Sequence, residues 1–203
     1  MTQSPKSMIL IACALCAGSL VACNRDKQDR QVPPEPKAAM PAPTADTVLL
    51  QPMPGGAAGT LAQLKPASGS QVSGTVKFSP ADGGVRVMAE VSGLTPGKHG
   101  FHIHQNGDCS APDAKSAGDH FNPDDQQHGG HDSAMRHRGD LGNLEAGSDG
   151  RATLEHTLRG ITLSGPDSIV GKAVLVHAGE DDLKTPPSGN SGARIACGVI
   201  EAS

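Results

Sequence analysis

The chain has 203 residues, a formal charge of −4 at neutral pH and 36% hydrophobic residues. It has no tryptophan, no tyrosine and no basic run, so it lacks the cationic grooves and stacking platforms of nucleic-acid binders, and that class is excluded. With only three phenylalanines, its core must be built from Val, Ile, Leu and Ala.

From the start of the chain, Lys6 precedes an uncharged, mostly apolar run from Met8 to Ala22. Charge order and length match a secretory signal, and the run is short of the about 20 apolar residues a spanning helix needs. Leu20-Val21-Ala22-Cys23 resembles a bacterial lipobox, which makes 1–22 the expected lipoprotein signal and Cys23 the expected lipidated residue. Leu10-Ile11-Ala12-Cys13 fits the same short pattern, but cleavage there would leave an apolar segment of only about five residues. The alternative is a plain secretory signal with a chance cysteine. Asn24 after the cysteine implies sorting to an outer membrane, facing the periplasm or the cell surface. Losing Lys6 with the signal would take the charge from −4 to −5.

Residues 23–59 are rich in Pro, Ala, Gln and charge, a composition that cannot offset its ordering entropy by burial. They read as a lipid-anchored, semi-extended tether. The folded domain is expected over 60–203, long enough for one sizeable core.

Within it, Val72, Gly74, Val76 and Phe78, then Val85, Val87, Ala89 and Val91, alternate with polar or small residues. Each set predicts a half-buried strand, and Asp82-Gly83-Gly84 predicts the hairpin turn between them. Further strands are expected over 98–104, 152–158, 172–178 and 195–201. No segment sustains a helical period and Gly and Pro punctuate throughout, which predicts an all-β sandwich or barrel.

His102 and His104 sit two apart, so on a strand both imidazoles share one face while Phe101 and Ile103 point into a core. On a helix a ligand pair would sit three or four apart. From Gln105 to Gly142 runs a stretch of about forty residues without a strand signal, and loops of that length usually carry function. It holds Cys109, His120, His128, His137 and Asp140. After the signal cysteines and Cys23 are set aside, Cys109 and Cys197 remain as one pair, which in an exported domain reads as a disulfide. His99, His131 and His156 read as surface residues.

The segments Gly100-Phe101-His102-Ile103-His104, Gly118-Asp119-His120-Phe121-Asn122-Pro123, His137-Arg138-Gly139-Asp140-Leu141-Gly142-Asn143 and Ala193-Arg194-Ile195-Ala196-Cys197-Gly198-Val199-Ile200 together resemble copper/zinc superoxide dismutase. The resemblance covers the domain in order and separation. It implies an eight-stranded Greek-key β-sandwich or flattened barrel with long metal-binding and disulfide loops. It further implies one copper per subunit on His102, His104, His120 and His177, and one zinc on His120, His128, His137 and Asp140, with His120 shared. Asp181 would be the carboxylate behind His102 and His128, and Arg194 the cation that binds superoxide beside the copper. The charged guidance loop is short here, only Lys184-Thr185-Pro186-Pro187 between Leu183 and Ser188, so Lys115 is the candidate for substrate guidance; its alternative is an ordinary solvated lysine. The expected partners are superoxide and, through Cys23, a membrane, with a homodimer as a possibility.

Donor chemistry agrees with that sorting, since three imidazoles and a carboxylate suit a closed structural zinc shell and four imidazoles suit copper. Three other readings are weaker. A zinc-only structural site leaves three histidines surplus. A copper carrier needs neither an anion pocket nor a bridge, and more often uses Met or Cys. A structural β domain leaves the whole ligand set unexplained.

Overall fold

The computed structural model of the protein describes residues 59–202. The expected signal, Cys23 and nearly all of the tether lie outside these described residues.

Eight strands follow in chain order: β1 Thr60–Pro66, β2 Ser73–Ala81, β3 Gly84–Ser92, β4 Gly97–His104, β5 Asp140–Ala146, β6 Ala152–Leu158, β7 Ala173–His177 and β8 Arg194–Ala202. They pair antiparallel in the order β5-β4-β7-β8-β1-β2-β3-β6. The connections β3–β4 and β6–β7 leave one neighbour and cross to another, the Greek-key pattern the resemblance implied.

Alternation explains the β2–β3 hairpin. Val85, Val87, Ala89 and Val91 are buried while Arg86, Met88 and Glu90 face out, and Val76 and Phe78 bury the matching face of β2. A fully buried Val, Leu, Ile or Phe contributes about 1.5–3 kcal/mol, so this shared face is a large part of what holds the barrel.

β7, and β4 beyond its first two residues, are buried on both faces. On β7, Val174 and Val176 enter the barrel core, while Ala173 and Leu175 join a second small core with Ala67, Ala114, Ala117 and Cys197. That second core lies under the loop that carries Cys109. On β4, Phe101 and Ile103 enter the barrel core, and His102 and His104 face the opposite way with no exposure. One strand thus serves as core wall on one face and carries two buried imidazoles on the other.

β5 and β6 end the sheet order and lie side by side with no ladder between them. His131 stacks on His156 of β6 near this seam, with centroids 4.5 Å apart and planes 4° from parallel. Burial, then His131 and Arg136, push His156 down to about 4, so the imidazole is neutral near pH 7.

Four expectations need correction. The stretch expected to be strand-free to Gly142 already enters β5 at Asp140, and β1 was not anticipated among the separate strand readings. His99 is not a surface residue. It is 2% exposed, with Nδ1 2.9 Å from the His177 carbonyl oxygen and Nε2 2.9 Å from that of Thr95. His156 is half-buried, whereas His131 is exposed as expected.

Candidate metal centre

β4 fixes the first two imidazoles, and its neighbours bring the rest. His102 pairs in register with Asp140 on β5 and with Leu175 on β7. Beyond the end of β4 the loop returns alongside, placing His120 opposite His104. His177 ends β7 at a register shift and stands opposite Arg194, the first residue of β8. His128 and His137 come from the loop between His120 and β5. All seven of these ligand-type residues are buried.

They fall into two sets of four whose donor atoms all lie within 4.8 Å of one another: His102, His104, His120 and His177, and His120, His128, His137 and Asp140. His120 belongs to both. Its Nδ1 is 2.8 Å from Asp140 Oδ1, and its ring centroid is 4.0 Å from that of His102 and 5.3 Å from that of His137.

Hydrogen bonding fixes which nitrogen of each ring is free. His102 Nε2 donates to Asp181 Oδ2 (2.7 Å), His104 Nδ1 to the Gly118 carbonyl (2.8 Å) and His177 Nδ1 to the Gly192 carbonyl (3.2 Å). Their other nitrogens, and Nε2 of His120, are buried with no hydrogen-bond partner. Four orphaned lone pairs in one set cost free energy unless a cation takes them. Their chemistry fits a metal that accepts imidazole nitrogen, and copper suits an all-imidazole set.

The second set is closer still. From Asp140 Oδ1, Nδ1 of His120 is at 2.8 Å and Nδ1 of both His128 and His137 at 3.2 Å; His137 Nδ1 is 3.3 Å from His120 Nδ1. A tetrahedron with metal–ligand bonds of about 2.0 Å has edges of about 3.3 Å, so the spacing fits zinc. The second Asp140 oxygen accepts the backbone N–H groups of Gly129 (3.0 Å) and His137 (2.9 Å), which aims the first.

Electrostatics separate the rings. Burial drives His104 well below its ordinary value, His120 to about 4 and His177 to about 3, and lowers His102 against the pull of Asp181. These rings offer lone pairs at neutral pH. His128 moves the other way, up to about 9, because Asp140 and Asp181 outweigh its burial. Both carboxylates stay ionised although burial opposes it, since the rings of His120, His128 and His137 surround Asp140, and Asp181 accepts from His102 and His128.

Asp181, 1% exposed, lies behind both sets, with Oδ2 2.7 Å from His102 Nε2 and Oδ1 2.8 Å from His128 Nε2. It therefore groups with these rings without forming a third metal site, because it uses the nitrogens that face away from the two donor sets. Gly189 makes room for it. Its φ is +63°, and a Cβ there would lie 1.8 Å from Asp181 Oδ1 and 2.8 Å from His128 Nε2. Gly189→Ala is expected to displace the carboxylate from His128 and weaken zinc retention by about 10–100-fold, read by competition with a zinc chelator. Unchanged zinc affinity would show that Asp181 does not orient His128.

Arg194 is half-buried at the rim, donating Nη1 to the Ala114 carbonyl (2.9 Å) and Nη2 to the Gly118 carbonyl (2.7 Å). It lines a cavity of about 450 Å³ together with His104, His120, His177, Gln105 and Pro187. Both carbonyls belong to the loop that the Cys109–Cys197 disulfide ties to β8. Lys115 begins a 3₁₀ turn, Lys115–Ala117, and borders an adjoining cavity with Arg194. Its ammonium is largely exposed and pairs with Asp113 at 2.9 Å.

Several working parts had no sequence signal. The carbonyls of Gly118 and Gly192 set ring tautomers through the backbone, and Gly189 acts by lacking a side chain. Asn143 was visible only as a motif member, yet its amide bonds both main-chain polar groups of Asp181.

A Greek-key barrel with two adjoining donor sets sharing one imidazole defines the class, an all-β metalloprotein built around a histidine-rich centre. Residues 72–200 match the family profile for copper/zinc superoxide dismutase. The chain is 46% identical over 143 residues to a copper/zinc superoxide dismutase of Onchocerca volvulus, covering 65% of this chain and 90% of the relative. It is 49% identical over 140 residues to copper/zinc superoxide dismutase 2 of Brassica juncea (66% and 91%). An extracellular copper/zinc superoxide dismutase of Brugia pahangi is 42% identical over 141 residues (65% and 70%). The chain belongs to the copper/zinc superoxide dismutase family. It is an enzyme, its cofactors are copper and zinc, and its substrate is superoxide.

Proposed function

We propose that copper is held by His102, His104, His120 and His177 and zinc by His120, His128, His137 and Asp140, with His120 bridging the two. The observation that carries this is the set of buried, unpartnered nitrogens on the four-histidine side, each on a ring whose other nitrogen is already committed. The reaction is 2 O₂⁻ + 2 H⁺ → O₂ + H₂O₂. Copper, when bound, supplies the one-electron exchange with each superoxide in turn, and zinc supplies a fixed charge beside it.

The chain's own residues do the rest. Arg194 presents a permanent cation at the cavity rim and is held there by two carbonyls, so it binds the substrate anion with little reorganisation. His120 Nε2 has no protein partner and is the atom that takes and returns a proton, while Nδ1 stays beside Asp140. Asp181 keeps the proton of His102 on Nε2, which leaves Nδ1 free.

Lys115 guides superoxide towards Arg194, its charge partly offset by Asp113. Lys115→Glu is expected to lower the rate several-fold at about 10 mM salt and to have little effect at about 0.5 M, where the screening length falls to a few ångström. A loss independent of salt would rule out steering.

The same proposal places the enzyme in a bacterial cell envelope, with 1–22 as signal, Cys23 lipidated, 23–59 as tether and 60–203 as the catalytic domain. It supports an envelope-protecting role against superoxide, and the sequence around Cys23 is its basis. The named relatives come from nematodes and a plant. Cys23→Ser is expected to move the protein from the membrane fraction to the soluble fraction with its turnover unchanged. Continued membrane association would contradict the anchor.

A further inference from the structure

β5 carries two side chains that meet the centre from the same strand. Asp140 contributes its carboxylate to the zinc-type set, and Asn143, three residues on, holds Asp181. In a regular strand residues three apart face opposite sides. Here Gly142 between them takes φ +83°, and the β4–β5 register shifts between Gly100 and His102, so both side chains reach the centre. Local irregularity of this kind re-aims side chains next to active sites.

The Asn143 amide makes two bonds to a single residue. Nδ2 donates to the Asp181 carbonyl at 2.9 Å, and the Asp181 N–H donates to Oδ1 at 2.8 Å. Together they fix the main chain of Asp181 to the Asn143 side chain. The Asp181 carboxylate then reaches one ring of each set, His102 at 2.7 Å and His128 at 2.8 Å, and takes the Leu183 N–H at 2.7 Å. A continuous series of bonds therefore runs from Asp140 along β5 through Asn143 and Asp181 to His102, separate from the shared ring of His120.

We infer that Asn143 is a positioning residue that makes copper binding at the four-histidine set depend on zinc at the other. This rests on the metal assignment proposed above. Zinc fixes Asp140, Asp140 begins β5, and Asn143 transmits that placement to the carboxylate that orients His102. Without the clamp, the direct link from His128 through the Asp181 carboxylate to His102 remains, but the Asp181 main chain is no longer held to Asn143, so the response of His102 to zinc weakens. The coupling is read as the change in copper affinity on adding zinc.

The experiment is a titration of the full chain with copper(II) against a competing chelator, with and without one equivalent of zinc. Wild type, Asn143→Ala and Asn143→Asp are compared, and the melting temperature of each is followed alongside. In wild type, zinc is expected to tighten copper binding by about 5–150-fold, the usual range of coupling between sites. In Asn143→Ala that factor is expected to fall at least about threefold. Asn143→Asp keeps the acceptor for the Asp181 N–H but loses the donor to its carbonyl, so its factor is expected to lie between the two.

A purely structural role would lower the melting temperature and leave the zinc factor unchanged, which overturns the inference. Absence of a zinc effect in wild type overturns it as well. Should Asn143→Ala fail to fold, Asn143→Asp decides in the same way, a reduced factor supporting the inference and an unchanged one overturning it. If wild type does not take up one copper and one zinc, the metal assignment itself has failed, and the inference falls with it for that separate reason.

Discussion

His120→Ala is expected to lower superoxide removal by at least about a hundredfold, the low end of what a positioned acid–base group contributes. The reason is that this ring is the only member of both donor sets. Its Nδ1 is the shortest contact to Asp140 Oδ1, and its Nε2 is one of the four orphaned atoms of the four-histidine set. Removing it takes one of four donors from each set and the only proton-exchanging ring atom proposed for the reaction. Fast-mixing superoxide decay, with metal content measured on the same sample, reads both losses. Retained turnover with both metals bound would show that His120 neither bridges nor exchanges a proton.

Cys109→Ser is expected to cost about 4–5 kcal/mol, because the disulfide closes 88 residues of chain and removes that loop's freedom from the unfolded state. For a domain of this size that is a fall in melting temperature of roughly 10–15 °C. The loss is not only global. Cys197 is buried with Ala114, Ala117 and Leu175, so the bond pins the loop that offers its Ala114 and Gly118 carbonyls to Arg194. Turnover is therefore expected to drop well below the melting temperature while copper and zinc stay bound, since neither cysteine belongs to a donor set. Full activity at 25 °C with only the melting temperature lowered would separate the disulfide from Arg194 placement.

These two results bear on why some features were legible in the sequence. The His102/His104 chelate was, because period 2 on a strand is a local property, and Phe101 and Ile103 between them do enter the core. The β2–β3 hairpin was legible for the same reason. β1 escaped because its inward residues are Thr60, Ala62 and Leu64, a weak apolar set, while Leu61 faces the other side. β5 escaped because Gly142 and Asn143 interrupt its alternation, and that interruption is what lets Asp140 and Asn143 both reach the centre. His99 was misread for lack of context, since its partners are carbonyl oxygens at Thr95 and His177, and backbone acceptors leave no trace in composition. The parts recovered through family resemblance, Asp181 and Arg194 among them, depend on contacts 38 to 80 residues apart, too far for any local pattern to encode.

The most direct test is superoxide decay catalysed by the protein loaded with copper and zinc, measured against the same protein loaded with zinc alone. Fast decay only with copper present is the predicted result and locates the electron exchange at the four-histidine set. Tight copper binding without acceleration would contradict it, leaving a copper carrier built on this barrel.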